Sequence, residues 1–217
     1  PSIATVGSSS GIVTGVSTGV DTIYYTVGSC STFTIVTVSP SPGPITGPGS
    51  VCISATITLS NSVAGGTWTS GNTSIAAIGS LSGIVSGVGI GATSITYSLG
   101  AGCTVTRGIT VNATPTLSPL TASVCVGGAT VLTSPTSGGA WSSSATGTAS
   151  VVGGTVSGVA AGVATISYTL GTGCFGTASV TVNALPAAIT PSGAESVCVG
   201  NTVNLFSATS GVTWSSG

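Results

Sequence analysis

The chain of 217 residues carries almost no charge. Asp21, Glu195 and Arg107 are its only charged side chains, and lysine, histidine, methionine and glutamine are absent. One arginine cannot neutralise a track of phosphates, which excludes nucleic acid and an anionic membrane surface as partners. No apolar run approaches the roughly 20 residues that a membrane-spanning helix requires. We therefore expect neither nucleic-acid binding nor membrane insertion.

The missing residue types also remove the usual catalytic groups. Acid–base catalysis needs a positioned base, but the chain has no histidine and no lysine, and its two acids lie far apart in sequence. A serine without an activating partner is not a nucleophile, and no glycine-rich stretch has the lysine or acid of a phosphate-binding loop. We expect a protein that is not an enzyme, with no catalytic residue and no cofactor.

Metal sites are disfavoured for a related reason. Calcium takes about six to eight oxygen ligands, usually including several carboxylates, and only two acids are available. A zinc site needs closely spaced cysteine or histidine pairs, whereas the chain has neither a CxxC motif nor a histidine. The sequence therefore predicts no metal ligands.

What the chain does contain is an internal repeat. Its three tryptophans are spaced by 73 and 73 residues, one cysteine series has the same spacing, and a second series steps by 73 and 71. The three sets are Trp68, Trp141 and Trp214; Cys52, Cys125 and Cys198; and Cys30, Cys103 and Cys174. A period of this size in a β-rich chain indicates an array of small domains.

The repeat predicts two complete units and two partial ones. The complete units are residues 44–113 and 114–183, while 1–43 correspond to the last part of a unit and 184–217 to the first part. Either part alone exposes open sheet edges and half a core. We expect residues 184–217 of one copy to complete residues 1–43 of the next, within one continuous chain or between subunits. The expected partner is thus the same protein, in a head-to-tail array.

The sequence of each unit predicts about seven short strands. Residues 56–59 alternate polar and apolar side chains, residues 94–99 form the clearest strand, and no window shows a helical period. Turn signals recur about every 8 to 12 residues, which is typical of a β-sandwich. We predict an all-β fold of tandem immunoglobulin (Ig)-like sandwiches.

Aromatic residues at fixed places of the repeat are expected to fill the cores. They are Trp68, Trp141, Trp214, Tyr25, Tyr97 and Tyr168. A sugar-stacking role for Trp68 or Trp141 is the alternative interpretation.

Five motifs of one unit together carry a resemblance. They are Trp68-Thr69-Ser70, Ser74-Ile75-Ala76, the segment 83–88 (GIVSGV), the segment 91–97 (GATSITY) and Ile109-Thr110-Val111. In combination they resemble the bacterial Ig-like group 2 domain, in the cysteine-bearing version found in tandem in giant bacterial surface proteins. The resemblance covers the whole chain, three times over. It implies Ig-like sandwiches used as a stalk or spacer in adhesins and related cell-surface proteins.

Six cysteines at fixed places in a chain rich in serine and threonine indicate an oxidising, extracellular setting. Two pairing schemes remain open. The first lies within units and joins Cys52 to Cys103 and Cys125 to Cys174. The second joins Cys52 to Cys174 between units, and Cys103 to Cys198 and Cys30 to Cys125 between adjacent copies. We favour the second, because the two cysteines of an Ig-like unit lie about 20 Å apart, whereas a disulfide needs Cα atoms within about 7 Å.

The leading functional hypothesis is a structural component of an extracellular bacterial filament or surface stalk. The alternative is an adhesin, or a repeat module that binds carbohydrate or another surface, for which Tyr24 and Phe33 are the available outer aromatics. Glycans are a further expected partner, with candidate attachment at Thr22, Asn72 and Asn112. We expect Asp21, Arg107 and Glu195 at solvated or rim positions.

Overall fold

The computed structural model describes residues 2–193 and 195–217. The chain divides into two compact units, residues 1–114 and 115–217. All regular structure in the described residues is β-strand, which confirms the all-β prediction. No helix in this part of the chain is long and apolar enough to cross a membrane.

Seven strands fall in residues 44–113 and seven more in 114–183, all within the described ranges, as the repeat predicted. In chain order the strands are β1 Ala4–Val6, β2 Val13–Gly15, β3 Gly19–Val27, β4 Cys30–Val38, β5 Ser50–Cys52, β6 Thr56–Thr58, β7 Thr67–Ser70, β8 Ala76–Ile78, β9 Ile84–Gly87, β10 Gly91–Ser98, β11 Thr104–Asn112, β12 Thr121–Cys125, β13 Ala129–Val131, β14 Ala140–Ser143, β15 Ala149–Val152, β16 Thr155–Gly158, β17 Gly162–Thr169 and β18 Phe175–Asn183.

The first complete repeat is a sandwich of two sheets. One sheet has the strand order β5-β11-β10-β7 and the other β6-β9-β8. β5 runs parallel to β11, and the other neighbours in the two sheets are antiparallel. The third, sixth and seventh strands share one sheet while the second, fourth and fifth share the other, which is the Ig-like arrangement.

Alternation along the strands places the core between these sheets. Ile95 and Tyr97 of β10 and Ile109 and Val111 of β11 are buried, and the residues between them are more exposed. Successive side chains of a strand point to opposite faces, so one apolar face per sheet is enough to build the core. Val85 of β9 closes the same cluster from the opposite sheet.

The second repeat has the same architecture. Its sheets have the orders β12-β18-β17-β14 and β13-β16-β15, with β12 parallel to β18. Its core holds Ile166, Tyr168, Val180 and Val182, the counterparts of the four residues above. The described chain therefore contains two tandem Ig-like sandwiches, which confirms the predicted fold class.

A tyrosine and a tryptophan lock each sandwich. The rings of Trp68 and Tyr97 lie with their centroids 4.6 Å apart. The Tyr97 hydroxyl donates to the Val63 carbonyl at 2.7 Å and accepts the Gly66 N–H at 2.8 Å. A Cβ on Gly66 would lie 2.5 Å from the tyrosine ring, so this position requires glycine.

The second sandwich repeats the lock. Trp141 and Tyr168 have ring centroids 4.7 Å apart, and the Tyr168 hydroxyl donates to the Thr136 carbonyl at 2.9 Å. The Gly139 N–H donates to the same hydroxyl at 2.8 Å. Trp68 is buried and Trp141 is half-buried. Trp68 packs inside its sandwich, whereas Trp141 packs against its core and also lines a surface cavity of about 250 Å³ beside Tyr168. The sugar-stacking interpretation therefore stays open for Trp141.

Two of the residues predicted to fill a core are exposed in the single chain. Tyr25 is 69% exposed and Trp214 is 53% exposed. Their place in a core stays a prediction for a completed repeat, because the described residues of these two segments do not cover either ring. Tyr97 and Tyr168, which lie in complete sandwiches, are buried.

The lock gives the first testable prediction. Tyr97→Phe leaves the Val63 carbonyl and the Gly66 N–H without their partner, which we expect to lower the free energy of unfolding of the first sandwich by about 1–3 kcal/mol. Urea denaturation followed by intrinsic fluorescence measures it. Tyr24→Phe removes an exposed hydroxyl of the same kind and should change stability by less than about 0.5 kcal/mol. Equal effects of the two substitutions would contradict the role of the lock.

Candidate association surface and cysteine sites

The hairpin of β3 and β4 is the counterpart of the hairpin of β10 and β11. Gly19 begins β3 opposite Val38, as Gly91 begins β10 opposite Val111. Both glycines have the same unusual backbone, with φ of 150° and 145°. Counted from these glycines, Ile23 and Tyr25 occupy the places of Ile95 and Tyr97.

The face of this hairpin that corresponds to a core face is open. A cavity of about 180 Å³ lies on the hairpin, lined by Ile23, Tyr25, Thr32, Phe33 and Thr34. In the complete repeats the corresponding face is covered by the second sheet and by the tryptophan ring. The described residues of β3 and β4 pair only with one another in a two-stranded sheet. An apolar face and two strand edges are therefore available.

The hairpin of β1 and β2 is the matching fragment of the second sheet. Ala4 lies opposite Gly15, as Ala76 lies opposite Gly87 in β8 and β9. Asp21 joins the two fragments, since its carboxylate accepts the Ala4 N–H at 3.0 Å and the Thr22 N–H at 2.9 Å. Asp21 was expected at a solvated or rim position; its side chain is half-buried, and its carboxylate binds backbone N–H groups of both fragments.

Arg107 is also half-buried and tied to backbone. Its guanidinium donates to the Ile45 carbonyl at 2.8 Å, which fixes the segment that leads into β5. Glu195 is exposed, as expected for a solvated residue. Asp21 and Arg107 thus each bind backbone groups and not another charged side chain. Among the described residues, no cluster of three or more histidine, cysteine, aspartate or glutamate side chains could hold a metal ion.

Residues 184–217 correspond in sequence to the first part of the repeat, but their described residues do not form its strands. Thr190 and Phe206 form an isolated bridge, at the place where Thr46 and Ser60 form one in the first repeat. Apart from such bridges, the described residues of this segment contain no strand. The side chains that correspond to core residues are exposed, among them Val197, Leu205 and Trp214.

The outer face of β3 and β4 carries the aromatic pair Tyr24 and Phe33. Tyr24 and Phe33 lie directly opposite each other, with ring centroids 6.0 Å apart, and both are exposed. The first complete repeat has Thr96 and Thr106 at this place, joined by a hydroxyl hydrogen bond of 3.1 Å. The aromatic pair is therefore not required by the fold.

The six cysteines fall into two states. Cys52 and Cys174 are disulfide-bonded. Cys30, Cys103, Cys125 and Cys198 are free thiols, of which Cys103 is half-buried and the others are exposed. The chain therefore combines disulfide bonding with exposed reduced thiols at equivalent places of the repeat.

Strand register disfavours pairing within a unit. Cys52 lies beside Asn112, at the end of β11, whereas Cys103 directly precedes the start of that strand at Thr104. Nine residues of extended strand span about 30 Å, far beyond the ~7 Å that a disulfide allows. Cys125 lies beside Asn183 in the same way, and Cys174 directly precedes β18. The pairing between units stays our proposal.

The candidate glycosylation residues differ in access. Asn72 is exposed in the turn before β8, where its side-chain oxygen accepts the Ser74 N–H at 3.0 Å. Thr22 in β3 and Asn112 at the end of β11 are half-buried. Attachment of glycans at these three positions stays a prediction.

Comparison with known proteins finds similar solved structures, but no matching family profile and no matching curated protein. Domains 4 and 5 of the S-layer protein SbsC are similar at 21% identity over 66% of this chain and 99% of that one, with a TM-score of 0.30.

Two further solved structures show the same level of similarity. The C-terminal 282-residue fragment of intimin, solved with the intimin-binding domain of its receptor, is similar at 16% identity over 68% of this chain and 67% of that one, with a TM-score of 0.45. Mouse cadherin-23 EC22-24 is similar at 12% identity over 69% and 68%, with a TM-score of 0.29. Similarities this low assign neither family nor function, so the fold assignment rests on strand order and register.

Thiol accessibility tests the two cysteine states. We expect alkylation of the native, unreduced chain to label Cys30, Cys125 and Cys198 rapidly, Cys103 more slowly, and Cys52 and Cys174 not at all, because only a reduced thiol reacts. Peptide mapping by mass spectrometry gives the sites, and the same protein labelled after reduction is the control. Rapid labelling of Cys52 without reductant would show that the assignment is wrong.

Proposed function

We propose that this chain is a structural segment of an extracellular bacterial filament or surface stalk, built from tandem, disulfide-stabilised Ig-like domains. One observation carries the proposal: two successive repeats have the same strand order, the same parallel first strand and the same tyrosine–tryptophan lock. Repetition of a whole architecture, including its internal hydrogen bonds, supports a role in which each domain is a spacer.

The interior of the repeats supports the same role. The described core contains no buried polar or charged residue. Catalytic and binding sites place polar groups in desolvated positions, where their electrostatic effect is large. Here the charged side chains of Asp21 and Arg107 are half-buried, and each forms hydrogen bonds with backbone groups. This arrangement favours a structural protein over an enzyme.

The cysteines support the proposed location. Disulfides persist in oxidising compartments and are rare where thiols are kept reduced, and Cys52 and Cys174 are disulfide-bonded. Small sandwiches also gain from such a constraint, because a short unit buries only about 60% of the surface of its unfolded chain. Cell-surface and extracellular stalks lie in an oxidising environment and are built from small domains that gain stability from disulfides.

Thermal melting tests this proposal. A reductant should lower the melting temperature by about 8 °C or more, since losing a native disulfide costs small domains about 2–5 kcal/mol and 1 kcal/mol corresponds to about 4–8 °C. A chelator should have no effect, because only two acidic residues are present. The double variant C52S/C174S is the control and should not respond to reductant. A large loss on chelation with none on reduction would contradict the proposal.

The outer aromatic pair supports a second candidate function, an adhesin or a module that binds carbohydrate or another surface. Tyr24 and Phe33 are exposed where the first complete repeat carries two threonines. Aromatic rings combine a large apolar area with few rotatable bonds, which suits a recognition surface. Tyr24 and Phe33 lie opposite each other on the strand face that alternates with the Tyr25 face, and the Phe33 ring also lines the cavity beside Tyr25.

The double variant Y24T/F33T tests the second candidate, because it restores the residues of the first complete repeat. We expect the wild type to bind polysaccharide-coated beads and the variant to lose at least about tenfold in bound fraction, as aromatic anchors commonly contribute 2 kcal/mol or more. Thermal melting of the variant should be unchanged. Equal binding by the two proteins, or none by the wild type, would remove the adhesin role.

A further inference from the structure

We propose that the cavity beside Trp141 is a binding site for one unit of a neutral saccharide, opened in the second complete repeat by a turn that is two residues shorter than in the first. The inference goes beyond the spacer role. It deepens the second candidate function, on whose carbohydrate class it rests, and places a site apart from Tyr24 and Phe33.

The turn between the fourth and fifth strands is long in the first complete repeat. The Gly79 N–H donates to the Ile84 carbonyl at 2.9 Å, and residues 80–83 form the turn between them. The same arrangement occurs between β1 and β2, where the Gly7 N–H donates to the Ile12 carbonyl at 2.9 Å across a turn of equal length. The turn therefore has four residues in both places.

In the second complete repeat this turn is two residues shorter. Val152 lies opposite Thr155 as the last pair of β15 and β16, so only Gly153 and Gly154 connect the strands. Both glycines have positive φ, 58° and 89°, which is the backbone of a two-residue hairpin turn of type I′. The shortening explains why the second cysteine series ends with a step of 71 residues while the tryptophans keep a step of 73.

The longer turn covers the core tryptophan of the first repeat. The backbone N–H of Trp68 donates to the Ser80 carbonyl at 2.9 Å, and the side chain is 5% exposed. Among the backbone hydrogen bonds of the described residues, Trp141 forms none with the shortened turn, and its side chain is half-buried. The second repeat therefore leaves part of its tryptophan accessible.

The cavity lies beside the shortened turn. It has a volume of about 250 Å³ and is lined by residues 131–134, Trp141, Gly153 and Tyr168. Pockets for drug-sized ligands commonly have about 300–1,000 Å³, so this cavity suits a single sugar ring rather than a longer chain. None of the lining residues is charged, which favours a neutral ligand.

The walls of the cavity offer both donors and acceptors of hydrogen bonds. The indole N–H of Trp141 has no hydrogen-bond partner among the described residues and is not fully buried. The Ser134 hydroxyl oxygen accepts the Thr136 N–H at 3.3 Å, which leaves its own hydrogen free to donate. The Thr133 hydroxyl donates to the Ser118 carbonyl at 3.2 Å, which leaves its oxygen free to accept.

A saccharide unit matches this combination of groups. Each of its hydroxyls can both donate and accept a hydrogen bond, and its C–H groups can pack against aromatic carbon. A carboxylate has no hydrogen to donate and binds most strongly to a charged partner, which the cavity does not supply. An apolar group would leave the indole N–H and the hydroxyls unpaired, at a cost in affinity. The lining thus favours a neutral polyol.

Trp141 contributes the edge of its ring rather than a face for stacking. The ring packs against Tyr168, with centroids 4.7 Å apart. A Cβ on Gly154 would lie 3.3 Å from Cζ2 and 3.5 Å from Cε2 of the indole, so this edge faces the turn. Since Nε1 is bonded to Cε2, the N–H donor lies next to the same edge. The expected contact is a hydrogen bond from the indole N–H to a ligand hydroxyl.

Titration of the full chain with the neutral methyl pyranosides of glucose, galactose and mannose tests the inference. We expect saturable binding of at least one of them, at one site per chain, with a Kd on the order of 1 mM for a ligand of this size. Saturation-transfer NMR detects the bound glycoside. The indole N–H signals of the protein locate it, and we expect the Trp141 signal to shift while the Trp68 signal does not.

A turn graft and a matched pair of tryptophan variants test the site itself. Replacing Gly153–Gly154 by the sequence of residues 80–83 should cover the cavity and weaken binding at least about tenfold. Trp141→Phe keeps an aromatic ring without the N–H and should weaken binding about three- to tenfold. Trp68→Phe makes the same change in the first repeat and should bind like the wild type.

Thermal melting shows whether each variant keeps its fold, and the tryptophan pair decides the question if the graft unfolds the second sandwich. The inference is overturned by a wild type that binds none of the glycosides, by a folded graft that binds them as well as the wild type, or by equal weakening in the two tryptophan variants. Acetylated, amidated trialanine is the peptide probe. Binding of this peptide and of no glycoside would overturn the saccharide assignment.

These outcomes are distinct from those of the proposed functions. Tyr24 and Phe33 lie outside the cavity, so Y24T/F33T should bind the glycosides like the wild type. Loss of the adhesin role at the outer aromatic pair would therefore leave this site in place, and the reverse also holds. The reductant-sensitive melt tests the structural role without any saccharide present.

Discussion

The tyrosine hydroxyl in each sandwich is the interaction on which the rest of the repeat depends. Tyr97 reaches from β10 to the turn that precedes β7, where it binds one carbonyl and one N–H. The Trp68 ring then lies against the tyrosine ring, so one residue fixes both the turn and the main core aromatic. In a protein nearly without charge, such neutral hydrogen bonds and apolar burial are the available sources of specificity.

Much of this fold was predictable from sequence. Alternating apolar residues and regular turn signals gave seven strands per repeat, and the recurrence of tryptophan and tyrosine identified the cores, because a fixed aromatic implies a fixed cavity. The strand order was implied only by the resemblance to Ig-like domains, since periodicity does not reveal which strands are neighbours. The spacing of cysteines showed where they recur but not which of them are bonded.

The surface features were less accessible to prediction. Asp21 and Arg107 were expected at solvated or rim positions, yet each binds backbone from a segment distant in sequence. Such contacts form only because the fold brings distant segments together. A single charged residue gives no sequence pattern from which they could be predicted. The exposure of Tyr25 and Trp214 follows from strands that do not cover them, and the pairing of Tyr24 with Phe33 follows from a cross-strand register that sequence alone leaves open.

The parallel placement of the first strand has a mechanical consequence. β5 and β11 are the first and last strands of one sandwich, they lie side by side, and they run in the same direction. Tension applied to the two ends of the domain pulls these neighbours in opposite directions along their length. Their hydrogen bonds are then loaded together in shear, rather than one after another as in the opening of a hairpin. β12 and β18 repeat this arrangement over five residue pairs instead of three, so the second domain has the longer clamp against extension.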